Sequence, residues 1–480
     1  MNNIKTVGKN FFSLASGRAA VFVINAIWII VFIRYLGSEN YGKFSLAMTI
    51  AALLGIFLDF GFNVVHIREV SADNKLANNY YSNVNSLRFF IGLMVCSIAI
   101  IIGLFFSYPS DLFWTLVLMT VNIVIWYLAA TGFEFLRALQ DMKYEAMAEP
   151  ISRLSVVLLG LGCIWLNKDI VWFAFANVIG SVVFLLFSVR MALKKKIKIF
   201  SPVDFSFMMQ FVKNAFFIGL GGLGFLIYNK IDVVMINGFL DYKAVGMYNC
   251  AYRFIDISSI IQLTFYGSVF PLIAKTIKSG NLMYLNKLIN QCCRFMAFVA
   301  MCIVAYILIF GEDLIDILFT VEFSESHQVL NILIFSTFIL FVGNAFGNIL
   351  VCTRRVRYYA YLSIGGAITN ILLNLIAIPY MGILGAALTS VVTFLITTIV
   401  AFYAVKDYIN KFSFRSTIII PCLIGFLSMA IFYFTALKHV SFWSGSVLFL
   451  VLYLSLFLIF RGIKKEELAF GWGLLQKKEN

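Results

Sequence analysis

Arg18, Arg88, Arg153 and Arg253 each stand inside a long apolar stretch of this 480-residue chain. A charge in such a setting is costly and persists where it faces a cavity or a partner, so chemistry is sought here first. Arginine offers five N–H donors in a planar fork, meets phosphate or carboxylate oxygens bidentately and keeps its charge. The chemistry on offer is therefore non-covalent capture of an anion. Helical spacing brings further polar groups onto the same faces. Asn25 follows Arg18 by seven residues. Asp59, Asn63 and His66 form an i, i+4, i+7 stripe, and Asn249, Arg253 and Asp256 repeat it. Asn85 shares a face with Arg88, and Glu145, Glu149 and Arg153 line another beside Pro150. Asn344 with Asn348, and Asn370 with Asn374, are amide pairs at i, i+4.

These residues divide by role. Arg18, Asn25, Arg88, Arg153, Asn249 and Arg253 are the candidate substrate contacts. Asp59, Asp256 and Glu149 are the candidate ion-coupling groups, because a desolvated carboxyl can take up and release a proton, or hold a sodium ion. Each reading has a plainer rival. Glu149 and Arg153 stand acid-first at i, i+4, the favourable order for a closed ion pair, and Arg253 is three residues from Asp256, close enough to neutralise it. Arg88 lies near the end of its run and could snorkel to the headgroups. His66 reads as interfacial, and the amide pairs as interhelical hydrogen bonds. Arg18 and Arg253 are harder to explain away, since each lies about 12 Å from its nearest span end at 1.5 Å per residue. An exporter of cationic drugs would more naturally carry an acidic cavity.

The elements that must position these groups follow from composition. The chain is 62% hydrophobic and 12% charged, with mean hydropathy +0.94, about half the charge of a soluble protein. A soluble enzyme is excluded. About 14 continuous apolar runs fit the length, beginning with 11–33 and 44–66, including 358–379 and 383–405, and closing with 416–436 and 442–460. Each suits a transmembrane helix of about 20 residues, whereas a barrel would show short alternating segments. The first run has no small-x-small cleavage pattern and contains Arg18, so it reads as a span and not as a cleaved signal. Of the 37 basic residues, 27 fall on one set of alternate connections, from Lys5 and Lys9 through the 190–213 loop to the tail from Arg461. Cytoplasmic loops retain positive charge, which places both termini and the 190–213 loop in the cytoplasm and the acidic 312–327 stretch outside. The net charge of +14 is thus topological, and nucleic acid is not an expected partner.

No stretch between runs is long enough for an extramembrane catalytic domain. There is no phosphate loop, no HExxH and no GxSxG, so no catalytic residue is expected. The eight cysteines lack CxxC spacing and the three histidines are far apart, which argues against a metal. Gly219, Gly221, Gly222 and Gly224 read as a helix-packing stripe. The 190–213 loop divides the chain after six runs, and at an offset of 204, Leu36, Gly42, Phe44 and Ala47 align with Leu240, Gly246, Tyr248 and Ala251. The expected fold is all-α and polytopic: two six-helix lobes in parallel pseudo-repeat around a central cavity, with residues 1–200 and 201–408 as lobes. Residues 409–480 add two further helices and a cytoplasmic tail.

At four stretches the sequence resembles the polysaccharide transporter branch of the multidrug/oligosaccharidyl-lipid/polysaccharide exporter superfamily, the Wzx-type O-antigen flippases. They are RYLGSENYGKFSLA (34–47), LDFGFNVVHIRE (58–69), YNKIDVVMINGFLDYKAVGMYNCAYR (228–253) and NILLNLIAIPYMGILGAA (370–387). The resemblance spans about residues 1–405. Many members have 12 spans, whereas this chain reads as 14, like the related lipid II flippases. The resemblance implies an alternating-access flippase, not an enzyme, in the bacterial inner membrane. It would carry an undecaprenyl-diphosphate-linked oligosaccharide repeat to the periplasmic leaflet for surface polysaccharide assembly. Cationic lumen residues would hold the diphosphate or acidic sugars, here Arg18, Arg88, Arg153 and Arg253. The expected partners are that lipid, the bilayer, and the polymerase and chain-length proteins of the same pathway; no cofactor is expected beyond a coupling proton or sodium ion. The rivals are a cation-coupled multidrug exporter of the same superfamily and a membrane-embedded polymerase or ligase.

Overall fold

The computed structural model describes residues 2–73, 76–195, 197, 204–353, 355–435 and 441–460, with all their side chains except those of residues 2–16, 18, 19 and 356. Lys75, Lys196, Lys198, Arg354, Lys438, His439, the tail from Arg461 and the Arg18 side chain lie outside this description. The described residues form helices and no strand, because apolar backbone in a bilayer must satisfy its own N–H and C=O groups.

Among the described residues, twelve helices are long and apolar enough to cross a membrane. Ten are single passes. The other two, Ala20–Ala72 and Arg357–Val405, have 53 and 49 residues, far beyond the roughly 30 Å that one crossing needs at 1.5 Å per residue. Each doubles back at a glycine with positive φ. In α1 (Asn2–Asp59) the break is Gly37, φ 70°; in α11 (Val356–Val405) it is Gly382, φ 59°. Only glycine takes these angles at little cost. The rings of Phe32 and Phe44 are 4.8 Å apart, where a straight helix would separate them by about 18 Å. Likewise Thr389 donates to the Asn374 side chain, fifteen residues away. With two double passes the helices supply the fourteen crossings expected from the apolar runs.

The chain forms two units, Met1–Gly246 and the part from Met247 onward. The first contains α1, α2 (Phe62–Ala72), α3 (Ala77–Phe105), α4 (Ser110–Ala138), α5 (Lys143–Trp165), α6 (Ile170–Lys194), α7 (Phe205–Phe239) and the first turn of α8 (Tyr242–Lys278). Its core joins Phe62 and Val65 of α2, Tyr81 and Val84 of α3, Phe133 of α4, Phe184 of α6 and Phe211 of α7. Helices in lipid gain little from the hydrophobic effect and associate through close packing and hydrogen bonds. Accordingly, Ser188 Oγ donates to the Ala129 carbonyl at 2.7 Å and Ser152 Oγ to the Gly180 carbonyl at 2.8 Å, tying α6 to α4 and α5. A Cβ on Gly219 would lie 2.4 Å from the Phe60 ring; the glycine stripe lets α7 approach the α1–α2 break.

One contact in this unit bears on the internal repeat. A Cβ on Gly42 would lie 1.7 Å from the Tyr242 carbonyl oxygen, and one on Gly246 would lie 2.0 Å from the Ser38 carbonyl oxygen. Ser38 and Gly42 become Tyr242 and Gly246 at the same offset of 204 that aligns the sequence. Segments 38–42 and 242–246 therefore meet reciprocally, as two-fold-related surfaces do.

In the second unit α8, α9 (Leu282–Leu318), α10 (Ser326–Cys352) and α11 enclose Tyr266, Leu285, Ile289, Met296, Phe341, Phe346 and Val405. Cys292 and Cys293 are buried in this core as free thiols. A second cluster, Phe298, Phe310, Ile424, Phe432, Phe449 and Tyr453, docks α12 (Ile420–Phe434) and α13 (Phe442–Ile459) on α9. Two connections are shorter than the apolar runs suggest. Helix α9 continues to Leu318, so Glu312, Asp313 and Asp316 lie exposed on its last turns; α6 continues to Lys194 and Lys213 belongs to α7.

Candidate functional site

Helix α1 ends at Asp59, and left-handed Phe60 and Gly61 separate it from α2. The last carbonyls of a helix lack internal partners, and one of them, that of Leu58, accepts Arg88 Nε from α3 at 3.0 Å. A cation at a helix C-terminus is also favoured by the helix dipole. The rest of the guanidinium is filled from α1 and α4. Arg88 Nη2 donates to Glu134 Oε1 at 2.9 Å and to Asp59 Oδ1 at 3.4 Å. Its Nη1 donates to Thr131 Oγ1 at 2.6 Å, to Glu134 Oε2 at 3.1 Å and to the Tyr127 carbonyl at 3.1 Å. Arg88 is wholly buried, and every nitrogen of its fork has a protein acceptor. It does not snorkel to the headgroups, because its acceptors lie inside the bundle.

Glu134 holds a second partner. His66 Nδ1 lies 3.0 Å from Glu134 Oε2, and the imidazole is fully buried, parallel to the Tyr80 ring at 6.0 Å. His66 is therefore an interior residue, not an interfacial one. The proline-free α4 supplies Tyr127, Thr131 and Glu134 from one face, and the stripe Asp59–Asn63–His66 bends around them because the helix breaks within it. The Asn63 backbone N–H donates to Asp59 Oδ1 at 3.3 Å. Asp59 is the one carboxylate of this cluster with an open side, its side chain 21% exposed against 4% for Glu134.

The next face of the first unit carries a second ion pair, in which Arg137 at the end of α4 donates to Glu145 at the start of α5, with Nε 2.7 Å from Oε2. Glu145 is thus taken up at the α4–α5 turn and does not act with Arg153. The Arg153 guanidinium stands over Trp126 at 5.7 Å, and its Nε is buried without a hydrogen-bond partner among the described residues. Asn25 is half-buried on α1.

In the second unit Arg253 Nη1 reaches Asp256 Oδ2 at 3.3 Å on α8, both side chains remaining partly open. Asn249 is buried one turn before Arg253. Asn344 donates to Gln262 at 2.7 Å, and Asn374 donates to Asn370 at 3.0 Å while accepting from Thr389; the first amide bond is interhelical and the second group ties the two passes of α11 together. Among the described residues no three His, Cys, Asp or Glu side chains gather as metal ligands do.

Sequence reasoning passed over Glu134 and Asp232. Each is a buried carboxylate, 3% and 1% exposed. The available signal was simple, since Glu134 is the single charged residue of the 112–136 run. It was missed because its partners are on other helices. Asn286 and Asn290 of α9 were also unremarked; their side-chain oxygens accept the Lys411 and Ser413 N–H groups at 2.8 Å each, holding the linker after α11. Arg355 clamps the same linker through Asp407, Nη2 to Oδ2 at 2.6 Å.

These groups can bind and exchange small charges; no nucleophile paired with a base stands among them. The comparisons agree with a transporter frame. Residues 218–376 match the profile described as MatE. The chain is 23% identical over 406 residues, 84% of each protein, to the probable low-salt glycan biosynthesis flippase Agl15 of Haloferax volcanii. It shares its fold with the lipid II flippase MurJ in the inward closed conformation, at TM-score 0.75 and 16% identity over 97% of this chain and 100% of the other. An inward-facing multidrug resistance MATE transporter of the MOP superfamily superposes at TM-score 0.68 and 16% identity, covering 81% of this chain and 94% of the other. The profile described as Polysaccharide biosynthesis protein matches residues 7–277, more than half of the sequence, and the chain belongs to that family of polytopic membrane proteins.

Proposed function

We propose that the chain is a flippase that moves a lipid-linked oligosaccharide across the bilayer by alternating access, for polysaccharide assembly. The observation that carries this reading is the match along 84% of both proteins to a relative named as a glycan biosynthesis flippase, on a fold shared with a lipid II flippase. The finer form is an undecaprenyl-diphosphate carrier taken from the cytoplasmic to the periplasmic leaflet of a bacterial inner membrane, with both termini cytoplasmic. The segregation of 27 of 37 basic residues supports that orientation. Residues 1–200 and 201–408 are the moving lobes of this reading, and the helices of 409–480 flank them.

Arg18, Arg153 and Arg253, with Asn25 and Asn249, are the substrate contacts of this proposal, because charge-assisted bonds offset the desolvation of a diphosphate at roughly 1.5–3 kcal/mol each. Arg88 is left out of that set, since its fork is filled by Glu134, Asp59, Thr131 and main-chain carbonyls. A gradient drives the cycle through Asp59, Asp256 or Glu149. The test is complementation of a flippase-deficient strain. The expected order is wild type, then Lys, then Ala at Arg18 and at Arg253, with unchanged protein in the membrane, because Lys keeps charge but loses the bidentate fork. Full polymer display by the Arg18→Ala/Arg253→Ala double variant would refute the anionic-cavity reading. The MatE match favours drug export as the second reading, which predicts protection against cationic drugs and no polymer phenotype.

A further inference from the structure

The cluster around Arg88 is one positive charge short. Asp59 and Glu134 bring two carboxylates, and Arg88 is the single permanent cation within contact of both. Buried charge is tolerated where it is paired; Asp59 keeps an open side, and the buried group placed to offset the charge of Glu134 is His66, bonded to it and fully buried. Its other ring nitrogen, Nε2, is buried with no hydrogen-bond partner among the described residues. A buried polar atom left in this way is uncommon and calls for a reason. We infer that His66 and Glu134 form a one-proton binding site, whose occupancy sets the charge of the Asp59–Arg88–Glu134 cluster at the hinge between α1 and α2. This rests on the coupled-transport reading above and names its ion: a proton.

The charged and titratable groups around the cluster come from several of the packed elements. From α1 comes Asp59; from α2, Arg68 and Glu69, which pair with each other in the open at 2.7 Å. From α3 come Arg88 and the Tyr80 hydroxyl, and from α4 Tyr127, Glu134 and Arg137, the last committed to Glu145 of α5. Glu149, one helical turn beyond Glu145, also faces Arg137. Helix α7 contributes the apolar rings of Phe207 and Phe211 against Tyr80, at 4.7 and 5.8 Å. Sodium fits the site poorly. Hard cations take oxygen ligands, whereas here a guanidinium already occupies the space between the carboxylates and the buried atom without a partner is an imidazole nitrogen.

The position gives the proton mechanical consequence. With the proton present, the cluster is neutral, Glu134 is shared between Arg88 and His66, and Arg88 holds the Leu58 carbonyl at the end of α1. When the proton leaves, one uncompensated negative charge remains. Arg88 is then drawn more strongly to the carboxylates, at the expense of its main-chain bond to the hinge. Phe60 and Gly61, with φ of 30° and 76°, are where α1 and α2 can change their angle.

The test uses the intact chain in lipid nanodiscs with 15N-labelled histidine. There are three histidines, and His66→Gln assigns the signal. The His66 ring signals are expected to pass between neutral and imidazolium forms as the pH is varied. Glu134→Gln is expected to move that transition by about one pH unit or more towards acid, a ten-fold weaker hold on the proton, while the half-buried His327 of the second unit is unmoved. Should Glu134→Gln fail to fold, Asp59→Asn, on the open side, supplies the same comparison. A His66 ring that stays neutral throughout, or whose transition ignores both substitutions, overturns the proton site. Sodium replacing potassium should leave the signals in place; a sodium-dependent shift without a proton transition also overturns it. No substrate enters this measurement, so the site stands or falls apart from the flippase reading. In sealed vesicles, His66→Gln should then lose the dependence of transport on a pH gradient, and retained dependence contradicts coupling through this site.

Discussion

At the scale of single residues, the cluster shows how a buried charge is made tolerable. Six acceptors surround the Arg88 fork: two oxygens of Glu134, one of Asp59, Thr131 Oγ1 and two main-chain carbonyls. Arg88→Ala would leave Glu134 and Asp59 facing each other without their cation, at a cost of about 3–5 kcal/mol. Arg88→Lys restores the charge but offers three donors to six acceptors, so its loss should be intermediate. Thermal unfolding of the purified proteins checks the order, and equal stability of wild type and Arg88→Ala would contradict the buried pairing. A second residue-scale prediction concerns the linker after α11. The Arg355 guanidinium holds the Asp407 carboxyl below the usual carboxylate range through their hydrogen bond. A carboxyl with a lowered folded-state pKa stabilises above its unfolded value, near 3.9, and the contribution is lost as pH falls through the lower folded value. Hydrogen exchange over residues 404–413, corrected for the intrinsic rate, should rise below about pH 4 in the wild type. In Asp407→Asn it should be faster at neutral pH and insensitive to acid.

At the scale of elements, much of the fold was legible because lipid imposes so few choices. Apolar length fixed where helices lie, and the stripe Asp59–Asn63–His66 marked the polar face that pairs with α3 and α4. What escaped was tertiary. Periodicity along one helix cannot show that Glu134 of α4 meets His66 of α2, nor that Arg137 takes Glu145 from Arg153, because both pairings cross helices. The repeat fared better: four matches at an offset of 204 pointed to Gly42 and Gly246, which the fold places against each other. Adding a methyl at either glycine overpacks the contact, costing about 1–3 kcal/mol. Because both substitutions separate the same two segments, Gly42→Ala and Gly246→Ala together should cost clearly less than the sum of their separate effects. Melting temperatures of the two single variants and the double variant measure this, and strict additivity would mean that the two glycines act independently. Orientation belongs to this scale too. Reporter fusions at Lys195 and Ser324 should give opposite signals, cytoplasmic and periplasmic, and equal signals would remove the basis for the assigned leaflet.

At the scale of the whole molecule, the account is a membrane transporter whose fixed charges divide into two kinds. Some, such as Arg88, Glu134, Arg137 and Glu145, are paired within the first unit and hold or switch its helices. Others, Arg153 and Arg253, keep polar atoms or exposed surface beyond their protein contacts and are the ones assigned to substrate. The most direct measurement is therefore reconstitution of the purified chain into vesicles loaded on one leaflet with a fluorescent polyprenyl-diphosphate oligosaccharide, followed by quenching from the other side. The account predicts protein-dependent exchange between leaflets, accelerated by a pH gradient and slowed about ten-fold or more by Arg253→Ala, in line with the loss of one charge-assisted contact. Exchange no faster than in protein-free vesicles, with gradient-driven extrusion of a cationic drug from the same preparation, would contradict it.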